Sequence, residues 1–190
     1  MTVRISDLET LVERCKLGDS QAQYSLYNRY ADKMYNVSLR IVGNNGEAED
    51  VVQVSFIQAF KNVTNLKTNL HFSAWLKKIV VNRSIDFLRN KGSLDTVSLD
   101  DEEIFVQLPQ ETLHWGDENT DEQLIEEIKA GIDLLPDGYK TVLSLYLLEG
   151  YDHQEVAGML GIAESTSRTQ YMRAKEKLRN MVADNIKNYE

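Results

Sequence analysis

Cysteine, proline and histidine are scarce, and each scarcity removes a class of explanation. The one cysteine, Cys15, cannot close an internal disulfide, so a thiol-stapled scaffold is excluded. Its expected role is that of a small core residue. Three histidines, His71, His114 and His153, stand too far apart for a metal-ligand spacing, and no Cys/His cluster accompanies them. Neither a metal nor a cofactor is expected. Only two prolines, Pro109 and Pro136, interrupt 190 residues, and long stretches have three- and four-residue apolar spacing. That pattern predicts helix almost throughout. No run of eighteen apolar residues occurs, so no membrane-inserted segment is expected. The first twenty residues carry early charges and no apolar centre, unlike a secretory leader. The expectation is a soluble, cytoplasmic, all-α protein.

Basic residues are missing from one stretch altogether. Between Gly92 and Ile128 there are twelve acids and no Lys or Arg, which accounts for the overall charge of −9. The rest of the chain is weakly basic, and its excess is local. Lys61, Lys67, Lys77, Lys78, Arg83, Arg89 and Lys91 stand against Asp86 alone between Phe60 and Lys91. Arg168, Arg173, Lys175, Lys177 and Arg179 stand against Glu176 between Ser165 and Asn180. Two basic patches flanking an acidic bridge suit a protein with two nucleic-acid contact points. Taken singly, each patch also reads as an ordinary solvated helix face.

Apolar periodicity divides the chain into three parts. Residues 1–91 read as a string of helices. One runs from Glu47 to Phe60 with Ala48, Val51, Val52, Ser55, Phe56 and Ala59 as its buried stripe, and another runs from about Ser73 to Asn90. Residues 92–120 form an acidic linker without sustained period. Residues 121–190 return to helix, broken at Leu135–Gly138, Glu149–Gly150 and Leu160–Ile162. Two small helical domains on an acidic tether follow from this layout.

The last part carries the sharpest local signal. Asp152 and Glu155 stand at capping-box spacing before a short helix; Gly161-Ile162-Ala163 make a turn, and a basic helix begins near Glu164. Two helices joined in this way form a helix-turn-helix pattern. Ser167, Tyr171, Ala174, Leu178 and Met181 share the packed face of the second helix. Arg168, Thr169, Met172 and Arg173 lie off it, with the chemistry of a major-groove reader.

The series Leu135-Pro136, Glu149-Gly150, Glu155-Val156-Ala157, Leu160-Gly161 and Arg173-Ala174-Lys175 resembles the −35-binding domain of sigma factors. It is most similar to the extracytoplasmic-function (ECF) group of the sigma-70 family. The resemblance implies that Arg168, Thr169, Met172, Arg173 and Lys175 face the −35 element. Ala163 stands where the family usually has a capping Ser, Ser165 replaces a common Gly, and Ser167 a common Val. These departures leave two helix starts open, one capped at Ala163 and one at Ser165.

The first half resembles the same family independently. Glu47-Ala48-Glu49-Asp50-Val51-Val52-Gln53, with Phe56, is similar to the segment that docks on the β′ clamp helices of RNA polymerase. Glu49, Asp50, Gln53 and Phe56 are then the polymerase-binding candidates. The first three sit off the apolar stripe as acceptors and an amide for a basic partner. Phe72, Trp75, Ile79, Asn82, Asp86 and Arg89 look like the family's −10 recognition helix. Trp75, Lys78, Asn82, Arg83 and Arg89 would grip a melted strand by stacking and phosphate contact. Asn69, His71 and Phe72 belong to the loop that captures an extruded base. A core tryptophan is the competing reading of Trp75, and a plain solvent-facing residue that of His71.

The resemblance implies a sigma factor that binds core RNA polymerase through the β′ clamp helices and β flap. It would recognise −35 and −10 elements of promoter DNA and promote their melting. It would use no catalytic residue. The linker would follow a basic polymerase channel, an anti-sigma factor would be a further partner, and the free chain would be a monomer. The alternative is a stand-alone helix-turn-helix regulator that binds duplex DNA without polymerase.

Overall fold

Short polar side chains decide where the helices begin. In the computed structural model, residues 5–94, 125 and 128–187 are described. Helix α1 spans Ile5–Lys16 and α2 spans Ser20–Val42. Asp19 caps α2, its Oδ1 accepting from the backbone N–H groups of Gln21 and Ala22 at 2.8 and 3.2 Å. Arg14 Nε donates to the same carboxyl at 2.8 Å, and this bond is the main reason its pKa lies below the usual aspartate range. Gly43, at φ +78°, ends α2 in the left-handed region that favours glycine. Asn44 then caps α3, Asn45–Asn62, by accepting from Glu47 N at 3.1 Å. The helix therefore starts two residues before the expected Glu47, because the cap lies inside what reads as a turn. After two short 3₁₀ turns, Val63–Asn65 and Asn69–His71, α4 spans Phe72–Asn90.

Helices α2, α3 and α4 pack on one another and α1 packs on α2. Every member of the predicted α3 stripe is buried. From α4, Leu76, Val80, Val81, Ile85 and Leu88 face the same core. Cys15 is buried against it, and burial pushes its thiol pKa up, as a packing residue requires. Two serines cross this interior without cost. Ser84 Oγ lies 3.1 Å from Ser38 Oγ and 2.9 Å from Val80 O, so neither hydroxyl is left unpaired.

The described chain divides into two compact units, Met1–Lys91 and Gly92–Glu190. In the second, helical residues 128–134 form α5, followed by α6, Asp137–Leu143. A π turn, Ser144–Leu148, extends α6; α7 spans His153–Leu160 and α8 spans Glu164–Lys187. Leu135, Tyr139, Leu143 and Ala174 form a core cluster, with Ile132 and Met181 against it. Lys140 is 5% exposed, and its ammonium donates to Asp133 O at 2.8 Å. It closes the C-terminal end of α5, where carbonyls lack partners and the helix dipole favours a cation. Among the described residues every regular element is helical. The expected linker over 92–120 lies, beyond Leu94, outside the described residues, as does His114.

Candidate nucleic-acid interfaces

The capping box expected at α7 is complete. Glu155 N donates to Asp152 Oδ1 at 2.8 Å, and Asp152 N donates to Glu155 Oε2 at 3.0 Å. Gly161, at φ +71°, turns the chain, and α8 starts at Glu164. Ser167 N donates to Ala163 O at 3.1 Å. That bond places Ala163 at the helix entrance and Ser165 inside the first turn, which settles the two starts left open by sequence. Ser167 and Ala174 are buried, while Tyr171, Leu178 and Met181 are partly so. Arg168, Thr169, Met172 and Lys175 are exposed on the other side, and Arg173 is partly buried. Arg168 donates to Glu164 Oε1 from Nη2 at 2.6 Å and from Nε at 3.1 Å. An exposed pair of this spacing is worth only about 0.3–0.5 kcal/mol, so phosphate or a guanine edge can displace it. Thr169 Oγ1 donates to Ser165 O at 2.9 Å, and Lys175 Nζ lies 5.6 Å from the Tyr171 ring centroid.

In the first unit, α4 presents a mixed row. Lys78, Asn82 and Arg83 are exposed and Trp75 is half-buried, its ring 6.1 Å from that of Phe72. Arg83 Nε donates to Gln58 Oε1 of α3 at 2.7 Å, and Arg89 pairs with Asp86 at 3.1 Å. His71 and Leu70 are exposed on the 3₁₀ turn before α4. Asn69 is engaged elsewhere. Its Oδ1 accepts from Lys16 Nζ at 2.7 Å, and its Nδ2 donates to Glu13 Oε1, both on α1. Phe72 needs a correction as a strand-contacting residue. It is fully buried, 5.6 Å from the Tyr30 ring, and supports Trp75 from beneath.

On α3, Glu49, Asp50 and Gln53 are exposed as expected. Phe56 is the second correction. At 2% exposure, with Tyr27 at 4.8 Å and Phe60 at 5.7 Å, it belongs to the core and cannot touch a partner directly. Its place in the apolar stripe was already the signal for this. Sequence reasoning missed two features of this surface. Val54 and Ile57 are exposed on α3 at 46% and 55%. A groove of about 430 Å³ also runs between α2 and α3, where Tyr27, Asp32 and Tyr35 face Glu49, Val52 and Gln53. Tyr27, Ala31 and Tyr35 recur at four-residue spacing along this wall, but nothing in that pattern names the helix opposite.

A third omission is His153, which is buried at 8% exposure and bonded to Ser167. Among the described residues no group of His, Cys, Asp and Glu is arranged to hold a metal ion. None of their helices is long and apolar enough to cross a membrane.

Known proteins match the chain at both units. Residues 26–93 match the family Sigma-70 region 2, and residues 125–178 match Sigma-70, region 4. The ECF RNA polymerase sigma factor SigW of Bacillus subtilis is 30% identical over 178 residues, 91% of this chain and 95% of that protein. The ECF RNA polymerase sigma-E factor of Haemophilus influenzae is 30% identical over 192 residues, 96% and 98% of the two chains. The sigma factor RpoE of Bartonella quintana, solved with the anti-sigma factor NepR, shares the fold at a TM-score of 0.53 and 17% identity. The match covers 84% of this chain and 96% of that one. CnrH, solved with the cytosolic domain of CnrY, does so at 0.52 and 19%, over 93% and 97%.

Proposed function

The chain belongs to the ECF RNA polymerase sigma factors, and on that footing we propose how its two units share the work of starting transcription. It acts by binding in the cytoplasm, without covalent chemistry of its own. The first unit docks on the β′ clamp helices of core polymerase through Glu49, Asp50 and Gln53, three exposed groups on one helix. The adjoining tyrosine-walled groove, with Asp32 on its rim, suits a basic side chain from the partner, which gains both a carboxylate and an aromatic face.

Strand capture falls to His71, Trp75, Lys78, Asn82 and Arg83. Asn69 holds the capture turn against α1, and Phe72 supports it from the core. In the second unit Arg168, Thr169, Met172, Arg173 and Lys175 read the −35 duplex from the first turns of α8, while the rest of the unit meets the β flap. The acidic linker follows the basic channel later used by RNA. An anti-sigma factor would act by covering these surfaces.

One observation carries the reading: region 2 and region 4 lie in that order on one chain, and the ECF sigma factor SigW matches it along 95% of its own length. The deciding experiment is run-off transcription with purified core polymerase, on linear templates whose −35 and −10 segments are randomised. RNA from a selected subset of templates, made only when this chain is added, is the expected result. Tight binding of bare duplex with no RNA would instead establish the stand-alone regulator.

A further inference from the structure

Apolar packing alone does not hold the helix-turn-helix. His153, the first residue of α7, stacks on Tyr146 with ring centroids 4.1 Å apart and planes 12° apart. It meets Tyr171 edge-on at 5.6 Å. Its Nδ1 lies 3.0 Å from Ser167 Oγ, and Ser167 is itself fully buried. The imidazole is therefore the meeting point of three elements: the π turn after α6, the start of α7 and the early turns of α8.

Apolar contact is non-directional and tolerates a helix turning about its axis, whereas a hydrogen bond weakens once its atoms part beyond about 3.2 Å. Ser167 immediately precedes Arg168 and Thr169, so whatever fixes its azimuth fixes theirs. With side chains a helix has a radius of about 5–6 Å, and a turn of about 20° displaces a side-chain tip by about 2 Å. A displacement of that size breaks a bond to a base edge.

We propose that His153 is a positioning residue for −35 recognition: through Ser167 it sets the rotation of α8, so that losing the contact loosens the choice of −35 sequence and leaves the −10 choice intact. The inference rests on α8 being the duplex-facing helix. Charged and phenolic groups surround the ring. Asp152 faces it from the cap of α7, Glu164 and Arg168 from α8, and the phenols of Tyr146 and Tyr171 from either side. Burial, aided by Arg168, holds the imidazole neutral below the pH at which a free histidine charges; Glu164 and Asp152 oppose this more weakly.

Holoenzyme assembled from core polymerase and the full chain is used to select from a duplex pool randomised at both elements, at pH 7.5. Wild type at pH 7.5 is expected to select sharply at −35 and −10. Ser167→Ala is expected to relax the −35 preference by about fivefold, the worth of one neutral hydrogen bond, with the −10 preference unchanged. His153→Phe, which keeps the stack and cannot hydrogen-bond Ser167, should relax the −35 preference in the same way. Should Ser167→Ala fail to fold, the His153→Phe/Ser167→Ala pair, with no orphaned polar atom, takes its place. An unchanged −35 preference in these variants overturns the proposal. Absence of selection at either element by wild type would instead overturn the sigma-factor reading beneath it.

Discussion

Phe56 and Gln53 stand three residues apart on α3, yet one is core and the other exposed. Mutating them separates stability from docking. Phe56→Ala is expected to lower stability by about 3–5 kcal/mol, because the cavity lies between two rings and cannot close. Thermal unfolding of the free chain measures this directly. Asp50→Ala with Gln53→Ala is expected to leave the unfolding temperature within a degree or two. It should weaken binding to core polymerase by about tenfold, as loss of a charge-assisted pair does, in a titration against labelled core. The apolar stripe made Phe56 legible as core, since Val52, Ala59 and Phe60 stand at three- and four-residue spacing from it. Asn69 was not legible. Its partners Glu13 and Lys16 lie more than fifty residues away, and no local pattern announces a bond between them.

Capping chemistry fixes where the short helix α7 begins. Asp152→Ala removes an acceptor and orphans the Glu155 N–H. A loss of about 1 kcal/mol in the unfolding of the second unit is expected, and Asp152→Asn should restore most of it. Denaturant titration followed at Trp or Tyr fluorescence checks both. The junction of α7 with α8 adds a pH dependence. Burial holds the pKa of His153 below its ordinary value, so the folded state binds its proton less readily than the unfolded state. The contribution is present in full above about pH 6.5, where the unfolded histidine is neutral, and is lost as pH falls through the folded value. Unfolding midpoints between pH 7.5 and 5 should therefore decline for wild type and less for His153→Phe. The Asp152–Glu155 spacing and the Gly161 turn could be read from sequence because caps and turns are local. The contact of His153 with Ser167 spans fourteen residues and a turn, and only the packed pair creates it.

Charge is laid out over the whole molecule in blocks, two basic regions and an acidic stretch between them. Such blocks act over about a Debye length, roughly 8–10 Å at ordinary salt. Changing Asp100, Asp101, Glu102, Glu103, Asp117 and Glu118 to their amides should slow holoenzyme assembly by about an order of magnitude at low salt. The difference should shrink as salt rises, as stopped-flow mixing with labelled core polymerase would show. Equal rates at every ionic strength would mean that the acidic stretch does not steer assembly.

Sequence by itself determined the helical class, the order of the two sigma regions, the acidic stretch and the inward faces of α3 and α8. These depend on periodicity, caps and breaks, all confined to a few neighbouring residues. Packing decided which exposed groups remain available: it enclosed Phe56 and Phe72, tied Asn69 to α1, opened the groove between α2 and α3, and seated His153 on Ser167. Each of those outcomes joins residues from different helices, and contacts of that kind come into being only when the helices are brought together.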